Sequence, residues 1–107
     1  MPETTNHGVA LHYETTGEGE PLLLIPGLGS DASNWPQVDK RLAERFQLVL
    51  MDNRGAGRSD SPPPPYAMAD MAGDCLCVLD HLGLESAHVL GHSMGGAIAL
   101  ELAINHP

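Results

Sequence analysis

The chain has 107 residues, of which 42% are hydrophobic and 18% charged, values that suit a single globular domain and argue against a disordered chain. Five Lys and Arg against fourteen Asp and Glu leave a net charge of −9. Such a surface repels phosphate backbones and anionic lipid, which argues against nucleic-acid and membrane-surface partners.

The first twenty residues, MPETTNHGVALHYETTGEGE, are polar and acidic. They hold no basic leader ahead of an apolar stretch, so no signal peptide is expected and the location expected is cytoplasmic. No apolar run approaches the roughly 18 residues that suggest a membrane span. Thr4 to Glu14 reads as two short strands around a turn at His7-Gly8, with Val9, Leu11 and Tyr13 alternating along the second. After a turn at Thr16 to Pro21, Leu22 to Ile25 is apolar at every position, the pattern of a strand buried on both faces. Pro26-Gly27-Leu28-Gly29-Ser30 breaks that strand. The spacing of Trp35, Val38, Leu42 and Phe46 predicts a helix over Pro36 to Arg45, with Pro36 suited to its first turn. Gln47 to Met51 is a second buried strand. Asp52 to Tyr66 is a loop that holds DNRGAGRSD and four prolines, Pro62 to Pro65, read as a stiff extended connector.

Ala67 to Leu82 is the strongest helix, because Met68, Met71, Ala72, Cys75, Leu79 and Leu82 recur at three- and four-residue steps. Asp70, Asp74 and Asp80 fall mostly off that stripe, which places them on the solvent side, and Gly83 stops the helix. Cys75 and Cys77 point in different directions on it, so they are expected as buried free thiols in a reducing compartment. Neither they nor the scattered histidines have a zinc spacing, and no metal or other cofactor is implied. Ala87 to Leu90 is a strand. Met94 to Asn105 is a helix apolar nearly all round, hence expected to be buried, and His106-Pro107 ends it. The order β-β-β-α-β-α-β-α predicts an α/β fold, a mostly parallel sheet with helices on both faces, as one domain over 1–107 without internal linker or repeat.

One short stretch interrupts good core sequence with polar residues. Gly91-His92-Ser93-Met94-Gly95, followed by Gly96, matches G-x-S-x-G between a strand and a helix. That pattern sets a serine on a tight, strained turn with its hydroxyl projecting above the sheet edge. Glycines flank it where strand and helix cross closely, and the helix N-terminus behind it favours a developing negative charge. Acyl transfer needs two N–H donors aimed at that charge. Met94 supplies one, and Leu28, in the loop after the earlier strand, is the candidate for the other. Asp52 and Arg54, in DNRGAGRSD, are placed to pair locally, and this segment reads as architectural rather than catalytic.

Together these segments resemble the N-terminal part of the α/β-hydrolase superfamily. The landmarks occur in family order: Pro26-Gly27-Leu28-Gly29 as the oxyanion loop, Asp52, Arg54, Gly55, Gly57 and Ser59 as the D-x-R-G-x-G-x-S loop, and Gly91 to Gly95 as the nucleophile elbow. The resemblance covers about Thr4 to Pro107. It implies an oxyanion loop that usually begins His-Gly; Pro26-Gly27 departs from this, as in members that look like enol-lactonases and related esterases. A serine rather than an aspartate nucleophile argues against the epoxide-hydrolase and haloalkane-dehalogenase branches. The activity implied is hydrolysis of a small ester, lactone or thioester. C–C bond hydrolysis or cofactor-free perhydrolysis would use the same elbow, and a binding-only or truncated, inactive scaffold is the non-enzymatic alternative. Oligomeric state is not legible.

A serine hydroxyl needs a base, and the base an orienting acid, in the chain order Ser, Asp or Glu, His. After Ser93 only Glu101 and His106 remain, roughly 12 Å and 20 Å along a helix. His92 adjoins the serine but diverges from it and reads as structural or pocket-lining. His7, His12, His81 and His88 read as surface or strand-end residues. The expectation is therefore a partial hydrolase domain ending after the elbow helix, its acid and histidine beyond Pro107, with the elbow strand left as an open apolar edge.

Overall fold

The computed structural model describes residues 3–27, 35, 38–62 and 66–106. Its elements are β1 (Glu3–Asn6), β2 (Val9–Thr16), β3 (Glu20–Ile25), α1 (Val38–Leu42), β4 (Phe46–Met51), α2 (Met68–His81), β5 (His88–Gly91) and α3 (Met94–Asn105). The predicted order holds throughout, and this is an α/β fold. Leu28, Gly29, Pro36 and Pro63 to Pro65, which carried parts of the sequence reading, lie outside the described residues.

The five strands form one mixed sheet in the order β1-β2-β4-β3-β5. The hairpin strands run antiparallel, while β3 pairs parallel with β4 on one side and with β5 on the other. Full burial of the inner strands explains their unbroken apolar runs. Leu23, Ile25, Val49 and Met51 face a core shared with α2 and α3. Leu22, Leu24, Leu48 and Leu50 face the other way, against Leu42, Phe46 and Trp35 on the α1 side. Helices thus cover both faces, and each buried aliphatic side chain contributes about 1.5–3 kcal/mol.

The helix predicted over Pro36 to Arg45 is shorter, with α1 ending at Leu42 and Arg45 N–H closing a turn on Leu42 O at 3.0 Å. Phe46 keeps the helical spacing but pairs in register with Glu20 as the first residue of β4, so sheet pairing overrides the period. α2 ends as predicted. Gly83, at φ +74°, donates to Asp80 O, and Leu84 donates to Leu79 O, the two bonds of a Schellman motif. Cys75 and Cys77 are free thiols; Cys75 is buried, but Cys77 only half so, its Sγ donating to Thr5 O.

Three further burial expectations are corrected. Asp74 is 0% exposed rather than solvent-facing, because Arg54 and Asn6 hydrogen-bond its carboxylate. His12 is buried, because the loop after β4 folds over β2: Ser59 Oγ accepts His12 N–H, and Asp52 N–H donates to His12 O. Helix α3 is not buried all round. Gly95, Ile98 and Leu102 are buried, yet Leu100 is 65% and Ile104 74% exposed, because β5 is the sheet edge and nothing described lies beyond it. Among the described residues no helix is long and apolar enough to cross a membrane.

Candidate active site

Strands β3 and β5 are parallel neighbours, yet α1, which follows β3, and α3, which follows β5, lie on opposite faces of the sheet. Their C-terminal ends therefore diverge and open a crevice, the place where open α/β sheets take ligands. Pro26-Gly27 leaves one side of that crevice and His92-Ser93 the other. His92 N–H bonds Ile25 O at 3.0 Å and ties the two together.

Ser93 sits at φ 57°, ψ −117° as the residue before α3. Only two described non-glycine residues have positive φ, and the other, His7, is in a hairpin turn. A strained serine of this kind persists only where its surroundings over-determine it. Here they do. A Cβ on Gly91 would overlap Gly95 O, and one on Gly95 would overlap Ile25 O and sit 2.9 Å from Pro26 O. Gly96 differs, since a Cβ there would meet nothing closer than Gly91 O at 3.8 Å. Ser93 is exposed, and its Oγ has no hydrogen-bond partner among the described residues. Gly95 and Gly96 N–H groups bond His92 O and Ser93 O, whereas Met94 N–H, first in the helix, has no carbonyl of its own helix to use. A Cβ on Gly27 would lie 3.0 Å from Ser93 Cβ, so Gly27 forms the wall facing the serine. His92 is exposed, its ring edge-on to Trp35 at 6.4 Å.

A pocket of about 210 Å³ adjoins the elbow, bounded by Gly27, Met94, Asn53, Tyr66, Met68 and Met71. Its floor is set by the D-x-R-G-x-G-x-S loop. Asp52 Oδ2 accepts Arg58 N–H at 2.9 Å, Ser59 Oγ donates to Asp52 O at 2.6 Å, and Gly55 N–H donates to Asp60 O at 2.8 Å. A Cβ on Gly55, at φ +83°, would press into the Tyr66 ring. The guanidinium of Arg54 forms two bonds to Asp74, at 2.6 and 2.7 Å, in place of the expected local pair with Asp52. Those hydrogen bonds raise the Arg54 pKa and keep the group charged. Burial pushes the Cys75 thiol pKa up, which keeps it protonated and unreactive.

Sequence reasoning named Gly27, Met94 and Ser93, which the fold brings together. It did not single out Asn53, Tyr66 or Asp74. The helical stripe misplaced Asp74, because a carboxylate off the apolar face was assumed to meet water. Glu101 Oε1 accepts Asn105 Nδ2 at 2.9 Å on the exposed side of α3, and His106 is exposed at its end. Among the described residues no three His, Cys, Asp or Glu side chains are grouped to hold a metal.

The model of the alpha/beta hydrolase fold family matches residues 20–107. A candidate carbamate hydrolase, RutD, of Azorhizobium caulinodans is 44% identical over 108 aligned positions, covering 100% of this chain and 40% of that protein. The solved structure of Est816, described as an N-acyl homoserine lactone degrading enzyme, superposes with a TM-score of 0.94 at 34% identity, covering 99% of this chain and 41% of that one. An enol-lactonase from Burkholderia xenovorans LB400 gives 0.94 and 34%, covering 98% of this chain and 42% of its own. The chain thus spans about two fifths of the length of these relatives. With crevice, elbow and loop arranged as described, the chain belongs to the alpha/beta hydrolase fold family.

Proposed function

We propose that the protein carrying this chain is a serine hydrolase of small carboxylic esters, lactones or thioesters, working through an acyl-enzyme on Ser93. One observation carries this: an exposed serine at φ 57°, its Oγ without a described partner, beside a helix N-terminus and facing Gly27 across a crevice. Oγ attacks the carbonyl carbon while its proton passes to a base. The carbonyl oxygen takes the negative charge, and Met94 N–H donates to it. Collapse expels the alcohol or thiol with a proton, and water then releases the acid by the same route. Leu28 N–H is assigned as the second oxyanion donor. Each such donor is worth about 3 kcal/mol of transition-state stabilisation.

Support comes from the relatives' names, a candidate carbamate hydrolase, an N-acyl homoserine lactone degrading enzyme and an enol-lactonase, each naming a compound that contains an acyl carbon. Glu101 is engaged by Asn105, and no described histidine contacts Ser93 Oγ, so the acid and base are assigned to residues outside this sequence. The 107-residue chain alone is accordingly expected to be inactive. The test is covalent labelling of the whole protein with a fluorophosphonate probe. Labelling that maps to Ser93 and vanishes in Ser93→Ala supports the proposal; a wild-type protein left unlabelled overturns it.

A further inference from the structure

Among the described residues, two buried side-chain polar atoms have no hydrogen-bond partner: Trp35 Nε1 and Asn53 Oδ1. Trp35 packs with the α1-side cluster and does not line the pocket. Asn53 does line it, and is 1% exposed. Its amide orientation is set by the bond from Nδ2 to Pro26 O at 3.1 Å, which leaves the carbonyl oxygen as the unpaired end. A buried acceptor without a partner is expensive and rare in a folded protein, so its presence at a pocket wall points to a ligand that supplies the donor.

The rest of that pocket narrows the choice. Met68, Met71 and Met94 make its walls apolar. Tyr66 OH is already committed to Pro62 O. Arg54 reaches the pocket, but its charge is neutralised by the bidentate bond to Asp74, so the pocket offers an anion little. Gly27 and Met94 line it, so it adjoins the N–H assigned above to the acyl oxyanion.

We propose that Asn53 is a specificity determinant whose Oδ1 accepts a hydrogen bond from a single N–H or O–H on the acyl portion of the substrate. The pocket then takes a small, uncharged acyl group that is apolar apart from that donor. The word acyl rests on the reading of Ser93 above; the pairing of Oδ1 with a donor does not.

Two esters that differ only by N–H against CH₂ test it: methyl N-acetylglycinate and methyl 4-oxopentanoate, with the whole protein, each kcat/KM divided by the ester's rate with hydroxide. The expected result is a preference for the N–H ester on the order of tenfold or more. Asn53→Leu should shrink the preference to about threefold or less, with a smaller change on the oxopentanoate. Equal rates for the two esters in the wild type, or an unchanged preference in folded Asn53→Leu, overturns the proposal. Where neither ester turns over, NMR titration with unreactive N-acetylglycinamide and 4-oxopentanamide reads the same ratio as binding, and equal affinities overturn it. Lost preference with Ser93 still labelled removes the Asn53 assignment alone. Retained binding preference with Ser93 unlabelled removes the serine mechanism alone.

Discussion

A methyl group added at Gly95 has nowhere to go. It would overlap Ile25 O and lie 2.9 Å from Pro26 O, and both obstacles are backbone at the end of β3. Neither can swing aside as a side chain would, since β3 is paired on both sides. Relief requires α3 to back away from the sheet. Overpacking of this kind costs about 1–3 kcal/mol, and loosening Ile98 and Leu102, which α3 buries, adds a share of the roughly 1.5–3 kcal/mol that each supplies. Gly95→Ala is therefore expected to destabilise the protein by about 3 kcal/mol or more. Gly96→Ala is the internal control. Its methyl would meet only Gly91 O at 3.8 Å, an ordinary contact, while alanine is favoured over glycine in a helix by up to about 1 kcal/mol. That variant should be neutral or slightly stabilised. Urea midpoints at unchanged m-value give both numbers, and probe labelling reports whether Ser93 is still presented. A Gly95→Ala midpoint within about 0.5 kcal/mol of wild type, or equal damage from the two variants, would refute the close-crossing account of the elbow.

Asp74→Ala leaves the Arg54 guanidinium without its carboxylate in a site 12% exposed, and should cost roughly 3 kcal/mol in urea denaturation; a loss under about 1 kcal/mol would mean the pair is solvent-screened. Cys75 gives a pH dependence. Its thiol pKa is raised by burial, so the folded chain keeps a proton that the unfolded chain loses above the ordinary value of 9.0. Stability from this group is complete below pH 9 and declines above it, by up to about 1.4 kcal/mol per pH unit, and Cys75→Ala should lack that component of the slope. The outer surface of β5 and α3 predicts self-association of the 107-residue chain expressed alone, since Val89 and Leu90 are 38% and 40% exposed on a strand that has no outer neighbour among the described residues, and Leu100 and Ile104 of α3 are exposed too. Analytical ultracentrifugation should show oligomers that Leu100→Lys with Ile104→Glu reduces, and a monomer with a sharp cooperative melt would contradict the prediction.

The sheet was legible because burial on two faces leaves a plain mark. Leu22 to Ile25 and Leu48 to Met51 are apolar at successive positions, which only a covered strand tolerates. Helix α2 was legible from its stripe and from Gly83. Periodicity failed where a tertiary contact outweighed it. Phe46 fits the helical period, but pairing with Glu20 draws it into β4. The apolar ring of α3 promised burial on every side, which needs neighbours on every side, and a pattern along one helix does not say how many there are. Asp74 failed for the converse reason. Its environment is made by Asn6 and Arg54, 68 and 20 residues away, and no local pattern encodes such partners. Within the site, Ser93, Met94 and Gly27 were readable because the turn chemistry is local. Asn53 was not, because its placement depends on Pro26, at the end of the neighbouring strand β3, and on the space left beside Met68 and Met71.

The D-x-R-G-x-G-x-S loop, read as architecture, serves the site through that architecture. Ser59 and Asp60 fasten it to the β2 backbone at His12 and Ala10, and Asp52 holds its far end through Arg58 N–H. Arg54 anchors it to α2 through Asp74, so the loop is pinned on three sides. What remains is Asn53, whose amide reaches Pro26 O and so steadies the turn that carries Gly27 toward Ser93. The chain of contacts runs from β2 and α2, through one loop, to the wall of the crevice. A substitution at Ser59 or Asp74 is remote from the serine in sequence, yet it acts on the same backbone that fixes the pocket. The hold on β2 and α2 thus reaches the crevice through one side chain, because the Asn53 amide at the pocket wall bonds Pro26 O, next to Gly27.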